Sequence, residues 1–419
     1  MRKLEVALVI LISFLALACS DNEINCVIQG EIIGRNSDTL ILIKALEDPL
    51  FAEIYIPIKE GKFEYTLTVP YTEAYALIFK DEMEMGRWRP VFFFPETGTT
   101  EFKLHSMQDH ENNEISGGIL TSEYYNYQKL FEREFIPQYN VIQDSIEVLI
   151  NNNEYYSEEF QELQTEVLNA KDNETRVHLT QKLQGMVDKG DFVTPKGKLF
   201  NEKREYINEK VKEWRYKYIA DTPSLISFYF LVQDIQISDY NKTIEIEEIK
   251  EYISRFYYKY PDHPYSELAQ TMLSAKDLIQ VGNKYIDFFL PDLEGEIQKL
   301  SEVIDGKYAV IDFWASWCGP CIMGSRELMP IYEEFKDKGF TICGIAREYR
   351  NTDRMVQRIE MENYPWTNLV ELDDKNQIWL KYDIQGGGKK FLVDNKGVIL
   401  AIEPKADEVR EILSERLSE

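Results

Sequence analysis

Residues Lys307 to Cys321 read KYAVIDFWASWCGPC, and no other stretch narrows the possible folds so far. Tyr308–Trp314 is short, apolar, rich in β-branched and aromatic residues, and carries a single charge, Asp312. That is the pattern of a buried strand. Trp317-Cys318-Gly319-Pro320-Cys321 follows at once, and an amphipathic helical pattern follows that. A helix starting at Cys318 aims unpaired backbone N–H groups and the positive end of its dipole at that sulfur. Such a position favours thiolate and lowers the thiol pKa. Pro320 falls in the first turn, where a missing N–H costs nothing. Two cysteines three apart on one helical turn can close a disulfide between an exposed and a more buried sulfur. Cys318 is therefore the expected nucleophile and Cys321 the resolving thiol. A structural zinc site would need four ligands, from a second pair or added histidines. No second pair exists, and His105, His110, His178 and His263 all precede this region. Neither a metal nor a cofactor is expected.

The string IDFWASWCGPC resembles the active-site strand and turn of the thioredoxin superfamily, in its membrane-tethered, extracytoplasmic TlpA/ResA-like branch. The resemblance runs from Val281 to the C-terminus. It implies a thioredoxin-like α/β fold, protein disulfides as substrates, and an upstream membrane thiol reductant as electron donor. Asp312, six residues before Cys318, matches the buried aspartate that exchanges protons with the second cysteine in such proteins. A carboxylate inside an apolar strand has a raised pKa and can act near neutral pH; an aspartate capping a neighbouring loop is the alternative. Trp317 would flank the sulfur as a contact platform. Sites in open α/β sheets lie beyond the carboxyl ends of the strands, so Arg347 and Glu348 belong on the same edge, with their roles open.

Three positions depart from the family pattern. Aligning Tyr382–Asp394 puts Gly388 where relatives carry a cis-proline opposite the cysteines, and a Gly-Gly bond has little reason to be cis. Gly387 and Gly388 would then line a freer substrate groove. Gly324 stands three residues after Cys321, where the ResA-like branch often has glutamate. Pro330 comes about one helical turn later than usual, which carries Glu327 away from its expected place.

At the N-terminus, Met1-Arg2-Lys3 and the apolar Val6–Ala18 read as a secretory signal, too short for a mature membrane span. Leu15-Ala16-Leu17-Ala18-Cys19 resembles a bacterial lipobox. That implies cleavage before Cys19 and acyl chains on it that hold a soluble protein to a membrane. An ordinary signal peptide with an incidental cysteine is the alternative. Residues 19–23 would form a polar tether, similar to the acidic segment of some surface-exported Bacteroidetes lipoproteins. The expected location is the cell envelope, facing the periplasm or on the outer-membrane surface. A net charge of −26 argues against nucleic acid or an anionic membrane surface as a partner. Of the five cysteines, Cys26 and Cys343 lie in strand patterns and read as buried inert thiols, with a disulfide between them as the alternative.

The 419 residues suffice for two or three domains. The expected fold is multidomain: an N-terminal antiparallel β domain over 24–116, a central α-helical segment over 117–280, and a C-terminal α/β thioredoxin-like domain over 281–419. Seven strands are expected in the first domain, among them Cys26–Ile32, Thr39–Lys44, Lys62–Val69 and Thr99–His105, arranged as a small sandwich or barrel. An all-β domain of this kind is often found ahead of thioredoxin modules in Bacteroidetes lipoproteins. The central segment carries apolar residues at three- and four-residue spacing, with breaks expected at Pro137, Pro195, Pro223, Pro261 and Pro264. Its many tyrosines read as packing between helices, or as a partner groove. In the last domain the sequence predicts the active-site strand, a helix from Cys318, the strand Phe340–Ala346, and a helix over Thr352–Glu362. A helix over Asp374–Tyr382, the hairpin Lys390–Val393 with Val398–Ile402, and a closing helix over Ala406–Leu417 complete it.

The function read from these features is an extracytoplasmic thiol–disulfide oxidoreductase that reduces protein disulfides through its WCGPC dithiol. An envelope binding or scaffold lipoprotein with a vestigial redox module is the alternative. A peroxidase would need the Pro-x-x-x-Thr-x-x-Cys pattern of peroxiredoxins, which is missing before Cys318.

Overall fold

The computed structural model describes residues 23–241 and 243–417. The signal-like segment, Cys19 and most of the tether lie outside the described residues. The chain divides into two compact units, one running up to Ala45 and over Tyr55–Ser254, the other formed by Leu46–Ile54 and Arg255 onward.

In the first unit the alternating N-terminal pattern gives eight strands: β1 (Ile24–Ile33), β2 (Thr39–Lys44), β3 (Ile54–Pro57), β4 (Lys62–Val69), β5 (Tyr75–Phe79), β6 (Val91–Phe93), β7 (Gly98–His105) and β8 (Glu114–Ser116). They form two four-stranded sheets, ordered β4-β1-β7-β8 and β3-β2-β5-β6. β1 runs parallel to β7, whereas β1 with β4, β2 with β5, β5 with β6 and β7 with β8 pair antiparallel. Phe93 of one sheet meets Phe102 of the other edge to face at 5.4 Å, so the sheets bury a shared aromatic layer. A short α1 (Lys80–Glu84) interrupts the strands. Then come α2 (Ile119–Asn151), α3 (Glu158–Asn169), α4 (Asn173–Lys189), α5 (Pro195–Asp221) and α6 (Leu225–Ile237), and the unit ends within α7 (Ile246–Lys259).

Of the prolines expected to mark breaks, Pro137 does otherwise, while Pro195 does mark one, between α4 and α5. Pro137 sits inside α2, which continues through it for 33 residues. Phe135, Ile142, Ile146 and Leu149 form one buried face on both sides of the proline, and that packing outweighs one lost hydrogen bond at an exposed turn. Pro195 opens α5 at the position where its missing N–H is harmless, behind a Thr194 cap. The tyrosines of the helical segment divide: Tyr124, Tyr127, Tyr216 and Tyr229 are core, whereas Tyr206, Tyr240 and Tyr258 face solvent.

The second unit holds α8 (Pro264–Leu278), the hairpin β9 (Phe289–Pro291) and β10 (Ile297–Lys299), and α9 (Leu300–Ile304). After these come β11 (Tyr308–Trp314), α10 (Gly319–Phe335), β12 (Phe340–Glu348), α11 (Asp353–Glu362), β13 (Thr367–Leu372), α12 (Ile378–Lys381), β14 (Lys389–Val393), β15 (Ile399–Ile402) and α13 (Ala406–Arg416). The five-stranded sheet runs β13-β12-β11-β14-β15 with β11 at its centre. β11 pairs parallel to β12 and antiparallel to β14. Because side chains alternate along a strand, Ile311 and Phe313 pack with Trp379, Tyr382 and Phe391 on one face. Val310 and Trp314 pack with Leu328, Ile331, Phe335 and Leu413 on the other. Asp312 shares that second face, under α10.

The structure corrects two expectations here. β13 lies between the two expected helices, where no strand was expected: Asn368 and Glu371, both buried, interrupt its apolar run. The helix expected over Asp374–Tyr382 shrinks to α12, because Asp373, Asp374 and Gln377 adopt positive φ angles of 57°, 52° and 54°. α8, helical as expected, clusters with this unit through Lys276, whose ammonium lies 3.0 Å from the Asp383 carboxylate. No described helix is long and apolar enough to cross a membrane.

Candidate redox site

β11 ends on the sheet edge and delivers the chain straight into α10. Cys318 caps α10, and its Sγ accepts a hydrogen bond from the Cys321 N–H at 3.3 Å. The two cysteines form a disulfide with their Cα atoms 5.3 Å apart. Cys321 is 8 % exposed and packs in the α10 core, while Cys318 is half-buried at the surface. The asymmetry expected from the sequence is therefore built into the fold: one sulfur is reachable and the other is covered.

The turn before Cys318 is held from β12. Glu348 is 3 % exposed, and its carboxylate accepts from Ser316 N at 2.8 Å and Ser316 Oγ at 2.9 Å. Burial raises the Glu348 pKa, and the two Ser316 hydrogen bonds oppose that rise. Arg347 turns away toward Asp374, with Nη2 2.9 Å from Oδ2. Trp317 is 42 % exposed and stacks on Tyr349 with ring centroids 5.9 Å apart. Tyr349 donates to Asp48 Oδ2 at 3.1 Å and meets Phe51 edge to face at 4.7 Å. Trp317 thus stands on an aromatic platform beside the reachable sulfur.

Asp312 is 1 % exposed. Its Oδ2 accepts from Ser325 Oγ at 2.6 Å, and that hydroxyl oxygen also lies 3.0 Å from the Cys321 carbonyl oxygen, which can share the hydroxyl's single proton. Lys390 Nζ lies 3.6 Å from Oδ1. Burial raises the Asp312 pKa, while the Lys390 charge and the Ser325 hydrogen bond pull it back. The alternative of Asp312 as a plain loop cap does not describe this geometry, since its partners are a helix side chain and a neighbouring strand.

The glycine loop faces the disulfide, but its two residues differ. A Cβ on Gly387 would lie 2.7 Å from Cys318 Sγ and 3.5 Å from Cys321 Sγ. A Cβ on Gly388 would overlap the Phe313 carbonyl oxygen instead. Gly387 is therefore the groove residue, and Gly388 packs against β11. No peptide bond among the described residues is cis. The loop is tied at its base by Lys276 on Asp383 and by Lys389 Nζ on the Asp383 carbonyl at 3.2 Å. Cys26 and Cys343 are both free and buried, so no disulfide joins them. No cluster of metal-ligating side chains occurs among the described residues.

Residues 281–402 match the AhpC/TSA family. The C-terminal domain belongs to that thioredoxin-like family. The Bacillus cereus thiol-disulfide oxidoreductase ResA is 29 % identical over 150 residues, covering 36 % of this chain and 84 % of that protein. The thioredoxin-like protein YneN of Bacillus subtilis is 28 % identical over 134 residues, 32 % of this chain and 76 % of its own. Among solved structures, the thioredoxin domain of a Bacteroides vulgatus thiol-disulfide oxidoreductase is 29 % identical. It covers 33 % of this chain and 98 % of that one, with a TM-score of 0.31. The C-terminal domain is that of a thiol–disulfide oxidoreductase.

Ser325, Lys390, Ser316 and Tyr349 belong to the site although the sequence did not single them out. Ser325 had a readable signal, since it stands four residues after Cys321 and so on the same helix face. Lys390 had none, because its place depends on the register of β14 against β11.

Proposed function

We propose that the enzyme reduces disulfide bonds of exported proteins from a lipid-anchored position outside the cytoplasm. The observation that carries this reading is a reachable sulfur and a covered sulfur on one helical turn, with a buried carboxylate linked through Ser325 to the backbone of the covered one. In the reduced enzyme, Cys318 thiolate attacks a substrate disulfide, and the substrate's S–S bond breaks as a mixed disulfide forms. Cys321 gives up its proton and attacks Cys318 Sγ, which closes the enzyme disulfide and releases the substrate as a dithiol. Two electrons pass from enzyme to substrate, and an upstream membrane thiol reductant restores the dithiol. The Gly319-Pro320 dipeptide and Asp312 favour the reducing direction, as in the family that the motif resembles. Lipid on Cys19 would supply the anchor. Peroxide reduction lacks its sequence pattern and is not part of this reading.

Reduction of insulin by the purified enzyme, recycled by a small thiol, tests the activity. Turnover should require both Cys318 and Cys321. Turnover that survives Cys318→Ser would overturn the assignment. A Cys321→Ser variant should trap exported proteins as mixed disulfides in cells. Fatty-acid labelling should mark the wild type and spare Cys19→Ala, and equal labelling would remove the anchor.

A further inference from the structure

Lys390 lies directly across from Asp312 in the β11–β14 ladder. Its side chain is 15 % exposed, and Nζ stands 3.6 Å from Asp312 Oδ1, which accepts no hydrogen bond. The ammonium reaches this place because residue 324 is glycine. A Cβ on Gly324 would lie 2.6 Å from Lys390 Nζ and 3.1 Å from Cε. The lysine backbone is pinned as well, its N–H donating to the Glu403 carboxylate and its carbonyl accepting from Glu403 N at 2.7 Å.

We infer that Lys390 is a positioning residue of the redox site, seated in the space Gly324 leaves, where it holds Asp312 as a carboxylate ready to take the Cys321 proton. This rests on the reading of Asp312 as the proton acceptor in the resolving step. In that step the Cys321 S–H proton passes to Asp312, and the sulfur's electron pair attacks Cys318 Sγ of the mixed disulfide. The Cys318–substrate S–S bond breaks as the Cys318–Cys321 bond forms. The electron pair leaves on the substrate sulfur, which is protonated from water.

Other groups around Asp312 do not supply this charge. Ser325 on α10 is neutral. Burial keeps Cys343 on β12 a thiol, and it pushes Tyr364 ahead of β13 up to about 12. Glu403 follows β15 and acts on Asp312 in the opposite direction to Lys390. Among the described residues, Lys390 is the cation paired with the carboxyl, and a paired cation at close range lowers an aspartate by about one to three pH units.

The test is an infrared titration of the Asp312 carboxyl in the full reduced chain, assigned by difference from Asp312→Asn. Lys390→Met should raise its midpoint by about one to three pH units, and the acid limb of the resolving rate should rise with it. A folded Lys390→Met with an unmoved Asp312 midpoint overturns the proposal. Should Lys390→Met fail to fold, Gly324→Ala provides the second arm, since its methyl displaces the ammonium while leaving the lysine present. It should move Asp312 in the same direction, and an unmoved midpoint there refutes the seating. The underlying reading fails separately: a resolving rate and pH profile unchanged by Asp312→Asn remove Asp312 as acceptor, and the proposal with it. An unmoved Asp312 in the Lys390 variant alone removes only the lysine's role.

Discussion

Gly387→Ala places a methyl group where the structure leaves no room for one. The new Cβ would stand 2.7 Å from Cys318 Sγ, against about 3.5–4.0 Å for an unstrained contact, so roughly 1 Å must be recovered. Cys318 has little freedom to yield, because it caps α10 and, in the oxidised enzyme, is bonded to Cys321. Gly388 cannot yield either, because it rests against the Phe313 carbonyl. The loop therefore moves on its Gly386 side, away from the sulfur and into the path of an approaching substrate chain. Overpacking of this kind costs about 1–3 kcal/mol, which corresponds to about a 5- to 150-fold loss when borne by the transition state. The loss should appear in kcat/KM for a protein disulfide such as insulin. It should be small for a compact aromatic disulfide, which needs only the sulfur itself. Gly388→Ala serves as the contrast: it collides with backbone and should lower the unfolding midpoint rather than select among substrates. Equal rates with insulin for wild type and Gly387→Ala would show that substrates do not pass this loop.

Asp312 is buried with a raised pKa, so the folded state holds its proton more tightly than the unfolded chain does. Stability from this group is fully present below about pH 4, the ordinary aspartate value, and is lost as pH rises through the folded value. Asp312→Asn should flatten the pH dependence of the unfolding free energy across that window, read by denaturant melts; an unchanged slope would show that folding does not raise the carboxyl's pKa. In the reduced enzyme near neutral pH, alkylation should reach Cys318 well before Cys321. Peptide mapping checks this, and equal rates would remove the asymmetry. Tyr349→Ala should free Trp317, lowering its fluorescence anisotropy and raising KM for protein disulfides several-fold. Tyr349→Phe loses only the bond to Asp48, about 0.5–1.5 kcal/mol, and should keep the stack. Indistinguishable Trp317 emission in all three would show that the platform does not hold the indole.

The active-site strand, the helix start and the two cysteine roles were legible because each rests on local chemistry: an apolar run, a cap and a spacing. The N-terminal strands were legible for the same reason, down to β2 and β4 at both ends. β13 was not, because its buried polar residues serve the interior. Asn368 accepts from Trp314 Nε1 at 3.1 Å, and Glu371 accepts from Asn376 N at 2.8 Å. Such partners are distant in sequence or set by a turn, so a strand filled by them looks like a loop. The platform under Trp317 was hidden more deeply. Tyr349 follows a predicted strand, but Asp48 and Phe51 precede it by about three hundred positions, and only the folded chain brings them together.

Two of the departures from the family pattern, Gly324 and Gly388, are better read as one rearrangement than as separate defects. Gly324 removes a side chain that the ResA-like branch often fills with an acid, and the structure fills the space with a base from β14. That base lies beside Asp312, on the neighbouring strand of the sheet. Gly388 removes one more side chain, letting the loop rest against β11 there and reach Cys318 Sγ at Gly387 beside it. A vestigial module would accumulate such changes at random, with cavities and unpaired charges as the residue of lost selection. Here each missing side chain is answered by a specific neighbour: an ammonium or a backbone carbonyl. Local rules broken together around one reacting group, each with a compensating contact, are what a working site produces.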